Sequence, residues 1–111
     1  MVKGVRFQVL INGVPLCVAG MPAPGVLQVI VEADDWTQEY SAVGTPIPRT
    51  TQECKVSVGG MTQTDDMLEW RLLDLAPGDE VTVRVLPAGE ADPPRLMRHD
   101  QEEWEPWDEQ Q

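Results

Sequence analysis

Val5-Arg-Phe-Gln-Val-Leu-Ile-Asn-Gly-Val-Pro-Leu-Cys-Val18 is the stretch that decides how this chain folds. Val5, Phe7, Val9 and Ile11 alternate with Arg6, Gln8 and Leu10, the two-residue period of a strand with one buried face. Asn12-Gly13 follows, and a type I′ turn needs positive φ at both central positions, which Asn and Gly tolerate best. Such a turn sets the register. Ile11 then opposes Val14, Val9 opposes Leu16 and Phe7 opposes Val18 on one face, with Gln8 opposite Cys17 on the other. Pro15 has no N–H to give to a ladder, so the second strand belongs at a sheet edge.

Outward from this hairpin, Gly20-Met-Pro-Ala-Pro-Gly25 reads as a connector. Val26 to Val31 is apolar except for Gln28, the pattern of a strand covered on both faces, with a short helix as the alternative. Glu32 to Gln52 holds Asp34-Asp35, Trp36, Tyr40 and Thr45-Pro-Ile-Pro48, and reads as a long irregular loop. Cys54, Val56 and Val58 resume the alternation until Gly59-Gly60 breaks it, and Thr62 to Asp66 is turn-like. Leu68, Trp70 and Leu72 then share one face, with Glu69 and Arg71 on the other. Pro77-Gly78 suits a type II turn, after which Val81, Val83 and Val85 face inward. Six strands separated by turn signals predict a mainly β fold: a small antiparallel β-sandwich or open barrel over residues 1–88, ending near Leu86. Residues 89–111 form an acidic tail with prolines and tryptophans, either disordered or packed back on the domain.

Length and charge bound the function. A chain of 111 residues suits one domain with one core. The net charge is −11, with eight acids against two bases in the tail and eleven against six in residues 1–88. That balance repels nucleic-acid phosphates and anionic membranes and favours basic partners. Cys17 and Cys54 are too few for a disulfide framework, the N-terminus has no signal-peptide pattern, and no apolar run approaches the ~20 residues that span a bilayer. A cytoplasmic protein with free thiols is the expectation.

Several short pieces occur in a recognisable order: Leu10-Ile-Asn-Gly13, Leu16-Cys-Val-Ala-Gly20, Gly25-Val-Leu27, Val58-Gly-Gly60, Leu68-Glu-Trp70, Pro77-Gly-Asp-Glu-Val-Thr-Val-Arg-Val-Leu86 and Asp92-Pro-Pro94. Together they resemble a group of small, uncharacterised bacterial proteins over much of residues 5–95. In that group Gly-Val-Leu opens a longer, more helical segment, from which the acids and prolines of Glu32–Gln52 depart. The resemblance implies no activity and no catalytic residues.

Chemistry finds few footholds. His99, the one histidine, sits in the tail and reads as solvated. Cys17 has no neighbour in sequence that would lower its pKa, and two cysteines with one histidine do not fill a zinc site. Asp34-Asp35 and Asp65-Asp66 lack an EF-hand pattern and read as turn acids, while Gly59-Gly60 precedes neither a helix nor a lysine. No catalytic, cofactor or metal residue is assigned, and no cofactor is expected. Trp70 reads as core, and Trp36 as either a core lid or a contact residue. Trp104 and Trp107 stand among acids; they serve either as anchors for a basic, partly apolar groove or as cover for the domain's own sheet.

The expected partner-binding set is therefore Asp34, Asp35, Trp36, Glu102, Glu103, Trp104, Glu105, Trp107 and Asp108, with loop and tail combined in one face. The expected function is a non-enzymatic inhibitor or immunity-type protein acting on a basic surface of a bacterial protein. The alternative is a phage or mobile-element nucleic-acid mimic that blocks a defence or DNA-processing complex. A small β enzyme or ligand carrier is a weaker third reading, for want of a visible site. Direct nucleic-acid and membrane partners are not expected, and a sheet edge leaves room for a homodimer.

Overall fold

The computed structural model describes residues 2–40, 43–44 and 46–107, and the backbone alone for 35–40 and 46–52. The described residues form eight strands: β1 (Arg6–Ile11), β2 (Val14–Ala19), β3 (Gly25–Tyr40), β4 (Pro46–Thr62), β5 (Asp66–Asp74), β6 (Val81–Leu86), β7 (Leu96–His99) and β8 (Glu105–Pro106). They make two antiparallel sheets, β2-β1-β6 and β3-β4-β5-β7-β8. The mainly β class is as the alternation predicts.

The first hairpin turns where expected, with φ of 52° at Asn12 and 79° at Gly13, and Ile11 opposes Val14. Beyond Leu10–Pro15 the ladder slips by one residue. Val9 then faces Cys17, Gln8 faces Val18 and Phe7 faces Ala19, so the expected Val9–Leu16, Phe7–Val18 and Gln8–Cys17 pairs do not form. Pro15 cannot donate to the ladder, and the bulge beside it absorbs Leu16. The slip sends small side chains inward: Cys17 and Ala19 are buried against Val9, which lets the second sheet approach closely. β2 is an edge, as Pro15 requires. On the other side of β1, Val81, Val83 and Val85 oppose Ile11, Val9 and Phe7 on the expected face. Val83 and Val85 remain exposed because β6 is itself an edge.

Two expectations in the middle of the chain are corrected. Val26–Val31 is not covered on both faces: it is the edge of the five-stranded sheet, with Val26, Ile30 and Val31 exposed. Glu32–Gln52 is not a loop throughout, because β3 and β4 continue through it and pair from Gly25–Thr62 out to Tyr40–Pro46. β5 joins β4 only from Lys55–Asp74 inward, so residues 33–40 and 46–54 form a two-stranded arm. An arm with no sheet at its back needs no apolar alternation, and it admits Pro46 and Pro48 where no further strand must be paired. The arm accounts for a radius of gyration of 16.8 Å, where a chain of this length packed evenly would have about 13 Å.

β4 runs straight through Gly59-Gly60. A Cβ on Gly60 would meet the Met21 sulfur at 2.5 Å and the Val26 carbonyl oxygen at 2.7 Å, so glycine here admits the close approach of connector and neighbouring strand. A second bulge lies in β5 at Trp70-Arg71: Gly59 faces Glu69, yet Val58 faces Arg71. Leu68 and Trp70 point into the core as expected, but Leu72 is carried to the outer face beside Ser57, and Arg71 to the inner one beside Val58.

The fold also continues past Leu86. β7 pairs with β5, β8 pairs with β7, and Met97 is 4% exposed in the core. Trp107 packs against the same core. The connection from Pro87 is fastened throughout. Arg6 Nε donates to the Pro87 carbonyl, the Val2 N–H donates to Gly89 O, and the Arg95 N–H donates to Glu69 O. Asp92 does most: its N–H donates to Val18 O, its carboxylate accepts from Val18 N–H, and its carbonyl accepts from the Trp70 indole, each at 2.8 Å. One residue so ties edge strand β2 to the core tryptophan of the other sheet. Between the sheets lie Val9, Cys17 and Ala19 from one side and Val58, Leu68, Trp70 and Met97 from the other.

The turn before β6 is as predicted, with Gly78 at φ +96° and the Asp79 N–H donating to Ala76 O. Asp79 anchors this turn. Its carboxylate accepts from Ala76 N–H at 2.7 Å and Asn12 Nδ2 at 3.0 Å, and these bonds hold its pKa below the usual carboxylate value. Asn12 also accepts from Glu80 N–H, clasping the two turns together.

Candidate partner-binding surface

The strand registers decide which side chains share the outer face of the five-stranded sheet. Val26, Gln28 and Ile30 of β3 lie beside Met61, Gly59 and Ser57 of β4; those lie beside Met67, Glu69 and Leu72 of β5. Leu96 and Arg98 of β7 follow. The Arg98 guanidinium stacks 5.3 Å over the Trp104 ring, which places Trp104 on the same side.

Across this face Val26, Ile30, Met61, Leu72 and Trp104 are each between 40% and 49% exposed. Where Gly59 supplies no side chain, the surface dips into a depression of about 180 Å³ lined by Val26, Gln28, Ile30, Ser57, Met61 and Met67. Acids frame it. Glu32 lies 3.7 Å from Lys55 and Glu69 lies 3.0 Å from Arg95, while Asp34, Glu53 and Asp74 continue the same face toward the arm.

The nine expected partner-binding residues are not gathered in one place. Asp34 is half-buried on β3 opposite Glu53, and Asp35 and Trp36 pair along the backbone with Gln52 and Thr51; the side chains of Asp35 and Trp36 lie outside the described residues. Glu102 and Glu103 are exposed in the turn between β7 and β8, and Glu105 is exposed in β8. Trp104 is an exposed surface residue, whereas Trp107 is half-buried as cover for the core. Asp108 lies outside the described residues. β3 and β8 are opposite edges of the sheet, four strand spacings or about 19 Å apart, so loop and tail acids do not merge into one patch. What joins the two ends is the apolar strip between them, of which sequence reasoning assigned Val26, Ile30 and Leu72 to covered positions. Val26 and Ile30 carry a faint signal in their two-residue offset from Gln28; Leu72 carries none, because a bulge redirects it.

The titratable groups are engaged. His99 Nδ1 lies 2.5 Å from Asp66 Oδ1, and that hydrogen bond raises the imidazole pKa, with Glu102 and Glu105 adding negative charge nearby. The histidine is thus tied to β5 rather than free in a tail. Cys17 is buried, which pushes its thiol up to about 11, with a further push from Asp92 and an opposing pull from Arg71. Cys17 and Cys54 are both unpaired thiols. Among the described residues, no group of three His, Cys, Asp or Glu side chains is placed to hold a metal. No helix among them is long and apolar enough to cross a membrane. A cleft of about 480 Å³ opens between residues 2–7 and the connector before β3, apolar in its lining apart from Lys3.

Comparison of the chain with protein-family models, with curated proteins and with solved structures gives no match.

Proposed function

We propose that this protein is a non-enzymatic partner-binding protein of the cytoplasm, an inhibitor or immunity-type protein that docks on a basic surface of a bacterial protein. The observation that carries the reading is the outer sheet face: an exposed apolar strip from Val26 to Trp104, framed by acids, in a chain of net charge −11. Apolar side chains half open to water gain free energy when a partner covers them, and the acids steer a basic surface toward them. Cys17, the buried thiol, is held protonated and so is a poor nucleophile.

The mimic reading draws on the base of the arm. Glu32 and Asp34 stand two residues apart on one strand face, about 6.8 Å, a spacing compatible with a run of phosphates. It gives no role to the apolar strip.

Leu72→Lys and Trp104→Ala test the proposal, because both residues are exposed and neither belongs to the core cluster. Capture of a bacterial partner by the full chain should fall at least tenfold in each variant, with unchanged unfolding curves. Capture equal to wild type in both variants removes the strip from the argument. Competition by duplex DNA, with binding lost steeply on adding salt, would favour the mimic instead.

A further inference from the structure

We infer that a second copy of this chain pairs with the free edge of β3, about a twofold axis through Gln28, to form one continuous ten-stranded sheet. The inference does not depend on what the outer face binds.

The sheet edges are treated unequally. β2 carries Pro15, and Asp92 occupies its Val18 N–H and C=O. β8 is two residues long and ends in Pro106, and β6 carries Arg84 mid-strand. Such devices keep edges from pairing. Gly25-Val-Leu-Gln-Val-Ile-Val31 has none of them: seven residues with no charge and no proline, on an edge that no described strand covers. Val26, Ile30 and Val31 are exposed at 49%, 46% and 56%.

Symmetry and the pleat select the register. A twofold axis perpendicular to the sheet keeps each face on its own side, so outward residues can oppose only outward residues and the axis must pass through a residue pair. Centred on Gln28, Val26 opposes Ile30, Leu27 opposes Val29 and Gly25 opposes Val31, so all seven uncharged residues pair among themselves. The two Gln28 amides meet at the axis, where each can donate to the other. Glu32 falls opposite Pro24, beyond the partner's strand, so no acid faces an acid. A centre at Val29 sets Glu32 against Val26, and a centre at Ile30 adds Asp34 against Val26. A centre at Leu27 also clears the acids but pairs only Gly25–Val29, so Gln28 is the centre that pairs all seven uncharged residues and still keeps the acidic arm clear of the ladder.

Sedimentation of the full chain tests this. The wild type should run at twice the 12.3 kDa chain mass, and the dimer should tighten as salt screens two chains of charge −11. Gln28→Lys sets two ammonium groups face to face at the axis and should weaken association at least tenfold. Val83→Lys, on the β6 edge, should leave it intact. In a Cys54→Ser background, Gln28→Cys should form an interchain disulfide on mild oxidation, since directly opposed Cα atoms lie about 4.5–5.5 Å apart. Ile30→Cys should not, because its two copies are offset by four residues, about 13 Å. A monomeric wild type at millimolar concentration, a dimer that survives Gln28→Lys or is lost in Val83→Lys, or equal cross-linking at positions 28 and 30 would each overturn the inference.

Discussion

Met97→Ala measures whether residues beyond Leu86 belong to the folded body. Met97 is 4% exposed and sits in the core with Leu68, Trp70 and Val9. The substitution removes Cγ, Sδ and Cε. Three buried methylene equivalents at about 0.8 kcal/mol each amount to about 2.4 kcal/mol, and incomplete collapse of the cavity brings the loss to about 3 kcal/mol. With an unfolding entropy of about 2.1 cal/mol/K per residue over 111 residues, that corresponds to a fall in Tm of about 13 °C. Urea unfolding followed by tryptophan fluorescence should show an earlier midpoint at unchanged slope. Glu103→Ala, on an exposed neighbour, should stay within about 0.5 kcal/mol of wild type. A Met97→Ala loss equally small would refute the packing of β7 into the core. The same packing means that truncation at residue 96 would damage the fold, so binding is better tested by point substitutions.

Three further outcomes are expected. Asp92→Asn should lower the pH at which Cys17 forms its thiolate, read by ultraviolet absorbance in a Cys54→Ser background, yet leave it above 9.0 because burial is the larger cause. The raised Cys17 pKa favours the protonated fold, so stability from this source is complete below pH 9 and declines as pH rises toward about 11. His99 is the one histidine of the chain, so a single NMR imidazole signal follows it. Its folded pKa stands above 6.5, so its contribution to stability is full below that pH and is lost as pH rises through the raised value. Asp66→Asn should lower the midpoint, and an unmoved midpoint would contradict the pairing. Gly13→Ala places a Cβ at φ +79° and should cost about 1 kcal/mol in thermal or urea unfolding; a neutral result would argue against the type I′ turn.

Local chemistry made the turns legible: Asn12-Gly13 and Pro77-Gly78 adopt their predicted conformations because their φ requirements are set within a few residues. Strand faces were legible only up to the next bulge. Leu16 and Trp70-Arg71 each insert a residue whose position depends on the partner strand, and beyond it the alternation reports the wrong face. The arm was hidden because its sequence carries no two-residue apolar period and holds prolines that read as strand breakers. β7 was hidden by its acidic surroundings, although Leu96 and Met97 supply the apolar pair it needs. Of the expected contact residues, Trp104 is exposed and Trp107 covers the core, a division that equal acidic flanks in the sequence gave no means to make.

The ties made by Asp92 have a consequence for how the chain becomes a protein. The central strand β1 must wait for β6, whose residues lie about 75 positions later, and the two sheets are joined by a residue later still. A first hairpin can form early, but its core partners Val58, Leu68 and Trp70 come only with β4 and β5, and its second neighbour β6 and Met97 come later still. Pairings so distant in sequence place folding among the slow β topologies, on the order of milliseconds to seconds. Until then the uncharged Gly25–Val31 segment stands exposed in an unfinished sheet. Every acid lies at Glu32 or later, and the net charge of −11 that they give the full chain keeps such half-folded molecules apart, so solubility during folding is a second use for the acids.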